Sequence, residues 1–243
     1  MKGILLILGI TFVVFVSACV SPPTQPTKTD SSFTYKNVAI KWLGHAGFEI
    51  SGPEKIYVDP FKINKSGTAD FILLTHEHFD HCDPESVRKL QGKNTEIFGT
   101  LNCVKQFTGR INTLRPGEEA RYPDGITITS VSAYNLNSSY HPKNFGRGFL
   151  VTVGNVTVYH AGDTDFIPEM ENITADIALL PIGGLYTMDV EEAAAVARTI
   201  KPKIVVPMHY NSDAFGITNI SADPEKLKEL LNGTGIEVKI LKY

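Results

Sequence analysis

Phe71-Ile72-Leu73-Leu74-Thr75-His76-Glu77-His78-Phe79-Asp80-His81 decides the reading of this chain. The first five residues form an apolar run bounded by polar ones, as expected of a strand covered on both faces. Three imidazoles and a carboxylate then follow within six residues. A chain of this composition would contain HxHxDH by chance in roughly 3 of 10,000 cases. Such density is costly unless an ion organises it, and imidazole with carboxylate suits Zn, Mn, Fe or Ni. Next, Asp83-Pro84-Glu85-Ser86 predicts a helix start, with Asp83 as N-cap and Pro84 at the first helical position. Strand, ligand loop and capped helix together present metal ligands rigidly.

Upstream, Val38 to Ile50 predicts two strands broken at Gly44-His45-Ala46-Gly47, and Lys55 to Asp59 a third. Downstream, strands are expected at Glu96–Phe98, Ala120–Tyr122 and Ile126–Tyr134, with a helix over Leu101–Phe107. Asn135 to Arg147 reads as a polar loop containing His141. Phe149–Val153 and Val156–His160 read as a hairpin across Gly154-Asn155. Further strands are expected at Ile177–Leu180, Ile204–Val206 and Ile236–Leu241. One helix is capped by Asp189 and Glu192, and another starts near Pro224. A β-rich half followed by mixed β/α units fits two packed sheets with helices outside.

The chain of 243 residues opens with Lys2, an apolar run from Gly3 to Val16, and Ser17-Ala18-Cys19. This pattern describes a secretory signal ending in a lipobox-like Cys19, or an uncleaved N-terminal anchor, over residues 1–19. Residues 20–34 read as a solvated linker rich in Pro, Ser and Thr. Residues 35–243 suffice for one domain with its own core. Export to the extracytoplasmic face, tethered to a membrane, is the expectation. Asn-x-Ser/Thr at Asn64, Asn137, Asn155, Asn172, Asn219 and Asn232 suits an exported surface. A net charge of −3 argues against a nucleic-acid partner. Cys82 and Cys103 allow a single bridge that spacing does not decide, and Cys82 is read as a packing residue.

The distant ligand-type residues complete a picture. His76, His78, Asp80 and His81 follow one expected strand, Asp163 a second and His209 a third, so they can converge on one cleft. This set is large enough for two ions. His76-x-His78-x-Asp80-His81, Ala161-Gly162-Asp163-Thr164 and Pro207-Met208-His209 resemble the metallo-β-lactamase fold superfamily. With Trp42-Leu43-Gly44-His45-Ala46, the likeness is to the branch of metal-dependent hydrolases that includes L-ascorbate-6-phosphate lactonase and N-acyl-phosphatidylethanolamine phospholipase D.

The resemblance implies an α/β (α+β) fold, a four-layer αββα sandwich with the metal cleft along one edge. It implies that His76 and His78 hold a first ion, Asp80, His81 and His209 a second, and that Asp163 bridges them. The family's remaining first-site histidine would fall near Asn135. An amide replaces an imidazole poorly, so His141 is assigned as that ligand. Two divalent transition-metal ions are implied, Zn first and Mn, Fe or Ni as alternatives. Their shared hydroxide would attack an ester, lactone or phosphodiester of a small or lipid-like molecule, with Asp80 and Asp163 as catalytic carboxylates. His45 is expected either to contact substrate or to take a structural place behind the site, His160 and Asn135 to support the site, and Asp59 and Asp165 to hold ligands from behind. The competing class is a membrane-tethered, non-catalytic binding or sensing domain that keeps its metal as structure.

Overall fold

A computed structural model describes residues 31–64 and 67–243. The expected signal or anchor, and the expected linker up to residue 30, lie outside the described residues. The first sheet has seven strands in chain order: β1 (Ser32–Tyr35), β2 (Val38–Gly44), β3 (Gly47–Ser51), β4 (Lys55–Val58), β5 (Ala69–Leu74), β6 (Gln91–Gly99) and β7 (Arg110–Asn112). Helices α1 (Pro84–Leu90) and α2 (Leu101–Val104) belong to its crossovers. The second sheet comprises β8 (Glu119–Arg121), β9 (Ile126–Ala133), β10 (Gly146–Val153), β11 (Val156–His160), β12 (Ile177–Pro181), β13 (Ile204–Met208) and β14 (Glu237–Val238). Helix α3 (Val190–Ile200) connects β12 to β13, and α4 (Pro224–Leu230) connects β13 to β14. The two sheets share one plan: four antiparallel strands, then three added in parallel.

Alternation within β5 accounts for the layers. Phe71 and Leu73 join the main core with Phe48, Phe149 and Val151, while Ile72 and Leu74 join a second cluster with Val87, Leu90 and Val104. One strand therefore feeds the seam between the sheets and the seam beneath α1 and α2, as period-2 geometry dictates. On the second sheet β12 and β13 are buried throughout, with α3 packing Ala193, Ala194 and Ala197 into the main core. This is the expected αββα sandwich.

Several boundaries differ from the expectations, each for a local reason. Ser32–Tyr35 pairs with β2, Ser32 opposite Lys41, so the sheet begins inside the stretch read as linker through residue 34. Its SFTY alternation is short and half polar, and only Phe33 and Tyr35 pack on the core. β6 starts five residues early because its register with β5 shifts between Ala69 and Phe71. The terminal strand shrinks to Glu237–Val238, an edge pairing with β13 alone. α2 stops at Val104, short of the expected Phe107.

Cys82 also departs from its expected role as a packing thiol. It is bridged to Cys103, whose Cα lies 6.0 Å away, across a sequence separation of 21. The bond joins the residue after His81 to α2.

α3 begins with the expected capping box: Asp189 Oδ1 accepts from the Glu192 amide at 2.9 Å and Glu192 Oε2 from the Asp189 amide at 3.2 Å. Asp189→Ala is expected to cost about 1 kcal/mol, read as a lower denaturant midpoint with an unchanged slope.

Candidate metal centre

Six of the chain's seven histidines converge at one edge of the sandwich; His160 is the exception. His76, His78, Asp80 and His81 follow β5, Asp163 follows β11, His209 follows β13, and His45 sits in the β2–β3 turn. His141 comes from the long β9–β10 loop. Two glycines set the approach of the chain. Gly162 has φ +66°, and a Cβ there would lie 2.6 Å from the Arg147 carbonyl. A Cβ at Gly183 would lie 2.3 Å from the His209 carbonyl. Both loops carrying single ligands are thus packed backbone to side-chain-free backbone.

The side chains fall into two groups joined by a third, His76, His81 and Asp163. His76, His78 and His141 form one, with His78 Nδ1 at 3.1 Å from His76 Nε2 and 3.2 Å from His141 Nε2. Asp80, His81 and His209 form the other, together with His45. Asp163 Oδ2 lies between them, 3.4 Å from both His141 Nε2 and His81 Nε2, 3.1 Å from His209 Nε2 and 4.0 Å from His76 Nε2. The structure therefore brings together every residue expected to ligate.

Counting protons shows which way the imidazoles are turned. His81 Nδ1 is 2.7 Å from Asp59 Oδ2, and an ionised carboxylate only accepts, so Nδ1 carries a proton and Nε2 is the nitrogen turned toward the cluster. The Thr75 hydroxyl donates its single proton to the same oxygen at 2.6 Å. It must then accept from His76 Nδ1 at 3.0 Å, which leaves His76 Nε2 bare. His141 Nδ1 faces two acceptors, Asn135 Oδ1 at 2.9 Å and the Tyr186 carbonyl at 3.2 Å. Its Nε2 is bare too. The Asn135 amide is oriented by chemistry, because its nitrogen donates to Asp165 Oδ1 at 2.7 Å and to the Tyr186 carbonyl at 3.0 Å.

The Nε2 atoms of three imidazoles and the Asp163 carboxylate consequently face one another inside the protein. His81 Nε2, Asp163 Oδ1 and both His209 nitrogens are buried without a hydrogen-bond partner among the described residues. Such groups cost several kcal/mol unless something satisfies them. A cation does so, and the donor set of imidazole and carboxylate fits a divalent transition metal.

The charges agree. Burial would raise the Asp163 carboxyl, but His209 and His81 outweigh it and hold it well below the usual carboxylate range. Burial would lower His81, but Asp163, Asp80 and Asp59 outweigh it and raise its imidazole well above the ordinary value. For His76, burial dominates, and its imidazole is driven well below the ordinary value.

The residues expected to support the site stand behind the ligands, as expected. Asn135 and Asp165 hold His141 in place, and Asp59 holds His81. His160 has both nitrogens engaged with backbone, Nε2 donating to the Ala46 carbonyl at 2.8 Å and Nδ1 accepting from the Gly162 amide at 3.2 Å. It fixes the approach to Asp163 and has no lone pair for an ion. His45, read as either a substrate contact or a structural residue, is 1% exposed and lies between Ser212 and Asp80. Thr75, Ser212 and the Tyr186 carbonyl did not emerge from the sequence. Only Thr75, adjacent to His76, carried any positional hint.

Above the cluster opens a cleft of about 390 Å³, whose floor includes His78, Asp80, His141, Asp163 and His209. Phe79, Tyr140, Tyr186 and Ile217 supply apolar walls, and Thr218 and Asn219 a polar side. Phe79 is 69% and Tyr140 51% exposed, so large apolar surface stands open at the mouth.

Residues 39–209 match the family described as Beta-lactamase superfamily domain. The chain belongs to the metallo-β-lactamase superfamily. A UPF0173 metal-dependent hydrolase of Pyrococcus horikoshii is 38% identical over 223 residues, covering 84% of this chain and 96% of the relative. A crystal structure of a protein assigned as a metal-dependent hydrolase from Parabacteroides distasonis superposes with a TM-score of 0.73 at 34% identity. It covers 87% of this chain and 98% of that one. Igni18, a metallo hydrolase from Ignicoccus hospitalis, gives a TM-score of 0.70 at 27% identity, covering 84% and 95%.

Two measurements check the centre. Asn135→Ala removes the group that turns His141, and cation affinity is expected to fall about 10- to 100-fold in competition with a chromophoric chelator. Because the His81 imidazole is raised, the ion-free cluster holds a proton at pH 7 that an ion must displace. Affinity is therefore expected to rise with pH and binding to release protons, which calorimetry in buffers of different ionisation enthalpy measures.

Proposed function

We propose that this chain hydrolyses an ester, lactone or phosphodiester bond at the cluster, using two divalent cations. It is a metal-dependent hydrolase of the metallo-β-lactamase superfamily. The observation that carries the two-cation reading is Asp163 Oδ2, which lies within 3.1 to 4.0 Å of imidazole nitrogens from both ligand groups. His76, His78 and His141 would hold one ion, Asp80, His81 and His209 the other, and Asp163 would contact both. Zn suits these donors best, with Mn, Fe or Ni as alternatives. When bound, such ions bring the pKa of water near neutrality and polarise the substrate's carbonyl or phosphoryl oxygen.

The chain's own residues do the rest. Asp80 lines the cleft with its side chain 14% exposed, placed to orient the attacking water and accept its proton. Asp163 is 4% exposed and lies deeper in the cluster. Phe79, Tyr140, Tyr186 and Ile217 exclude water from one side of the substrate and favour a small molecule with an apolar or lipid-like portion. No Ser or Cys nucleophile is required, and Cys82 is tied in its bridge.

The N-terminal signal or anchor supports a protein exported and tethered to the outer face of a membrane. The Cys82–Cys103 bridge is in keeping with an oxidising compartment. The open cleft weighs against a purely structural metal, since structural sites are closed.

The test is turnover of the full-length, Zn- or Mn-loaded chain on matched p-nitrophenyl esters, lactones and phosphodiesters. Chelation is expected to abolish activity and re-addition to restore it. Asp80→Asn is expected to lower kcat roughly 100-fold or more while the chain still binds ions. Full activity in metal-free protein would overturn the reading.

A further inference from the structure

His45 is the one histidine of the cluster left outside both ligand sets. Its side chain is fully buried, and its Nε2 belongs with Asp80, His81 and His209 in a group whose ligand atoms all lie within 4.8 Å of one another. We propose that His45 is itself a metal ligand, the third imidazole of the cation site formed by Asp80, His81 and His209. This rests on the two-cation reading above.

The alternative role is plain on the same geometry. His45 Nε2 stands 3.1 Å from Asp80 Oδ2, a distance at which an N–H would simply donate to the carboxylate. The tautomer decides between the two, and Ser212 decides the tautomer. His45 Nδ1 is 2.9 Å from Ser212 Oγ, and that hydroxyl is also 3.2 Å from the Tyr210 carbonyl. The hydroxyl has one proton, and a carbonyl can only accept. With the proton donated to Tyr210, Ser212 Oγ accepts from His45 Nδ1, and His45 Nε2 presents a lone pair to a carboxylate oxygen. Two lone pairs at this distance repel unless a cation lies between them. The same construction turns His76, where Thr75 sends its proton to Asp59 and accepts from the ring. A serine at one end and a threonine at the other thus set both imidazoles Nε2-inward.

Backbone geometry points the same way. His45 and His209 are both non-glycine residues in the left-handed region, at φ +51° and +55°. Strain of this kind persists where the surrounding structure holds a residue for a task. The His45 carbonyl accepts from the His209 amide at 3.0 Å and from Trp42 Nε1 at 3.0 Å. The two rings are 4.2 Å apart between centroids. The turn and the β13 loop are therefore locked together by main chain, which presents both imidazoles to one point.

The experiment loads the full-length chain with Co(II) and counts the exchangeable imidazole N–H protons shifted by the paramagnetic ions. Six are expected from the wild type, one for each histidine of the cluster. His45→Asn, chosen because Asn tolerates the left-handed backbone, is expected to show five and to weaken one of the two sites 10-fold or more. Ser212→Ala keeps the imidazole and is expected to retain six with one displaced. Five signals in the wild type, none lost in His45→Asn, would overturn the proposal and make His45 a donor to Asp80. X-ray absorption on the wild type counts imidazoles per metal independently, so the answer stands even if His45→Asn folds poorly. A chain that binds no cobalt overturns the two-cation reading as well, a result distinct from a count of five.

Discussion

The Asp59 carboxylate is wholly buried and accepts from three donors: the Thr75 amide, the Thr75 hydroxyl and His81 Nδ1. An ion in that position is tolerable only when so fully hydrogen-bonded. In satisfying it, the chain pins the end of β5 to the end of β4 and fixes the tautomers of two imidazoles at once. That the Nε2 atoms of His76 and His81 face the cluster is a consequence of where Asp59 places its oxygens. Remove that carboxylate and the ligand loop would keep its residues and lose its orientation. The Asp165–Asn135–His141 series performs the same task from the other side of the cleft, with an amide relaying between carboxylate and ring.

The two sheets are built on one plan, which places functional groups at equivalent points. Asp59 and Asp163 each follow the fourth, last antiparallel strand of their sheet. In the first sheet that carboxylate turned inward and became an anchor; in the second it reached the cleft between the ligand groups. The loop after β5 carries the dense ligand cluster, while its counterpart after β12 carries Gly183, whose missing side chain lets the His209 backbone approach. One loop supplies donors and the other supplies room.

Much of this was legible in the sequence, and for identifiable reasons. The run from His76 to His81 is contiguous, so composition alone marks it. Asp163 and His209 were found because each follows a strand whose pattern is clear. His141 was chosen because Asn135 offers no imidazole, and the structure brings that ring to the cluster while giving Asn135 the task of holding it. What stayed hidden acts over distance or through a single proton. Asn135 is tied to Asp165 and Tyr186, far along the chain, and Thr75 and Ser212 matter only for the direction in which a hydroxyl points. β1 and β14 were missed or overextended because edge strands bury little, so their patterns are faint.

The bridge between Cys82 and Cys103 adds a property that the ligands themselves lack. Many metal loops are shaped by the ion and collapse when it leaves. Here the loop's exit is clamped covalently to α2, and its entry is clamped by Asp59, so its shape is stored in the protein. A loop anchored at both ends in this way depends less on an ion for its shape.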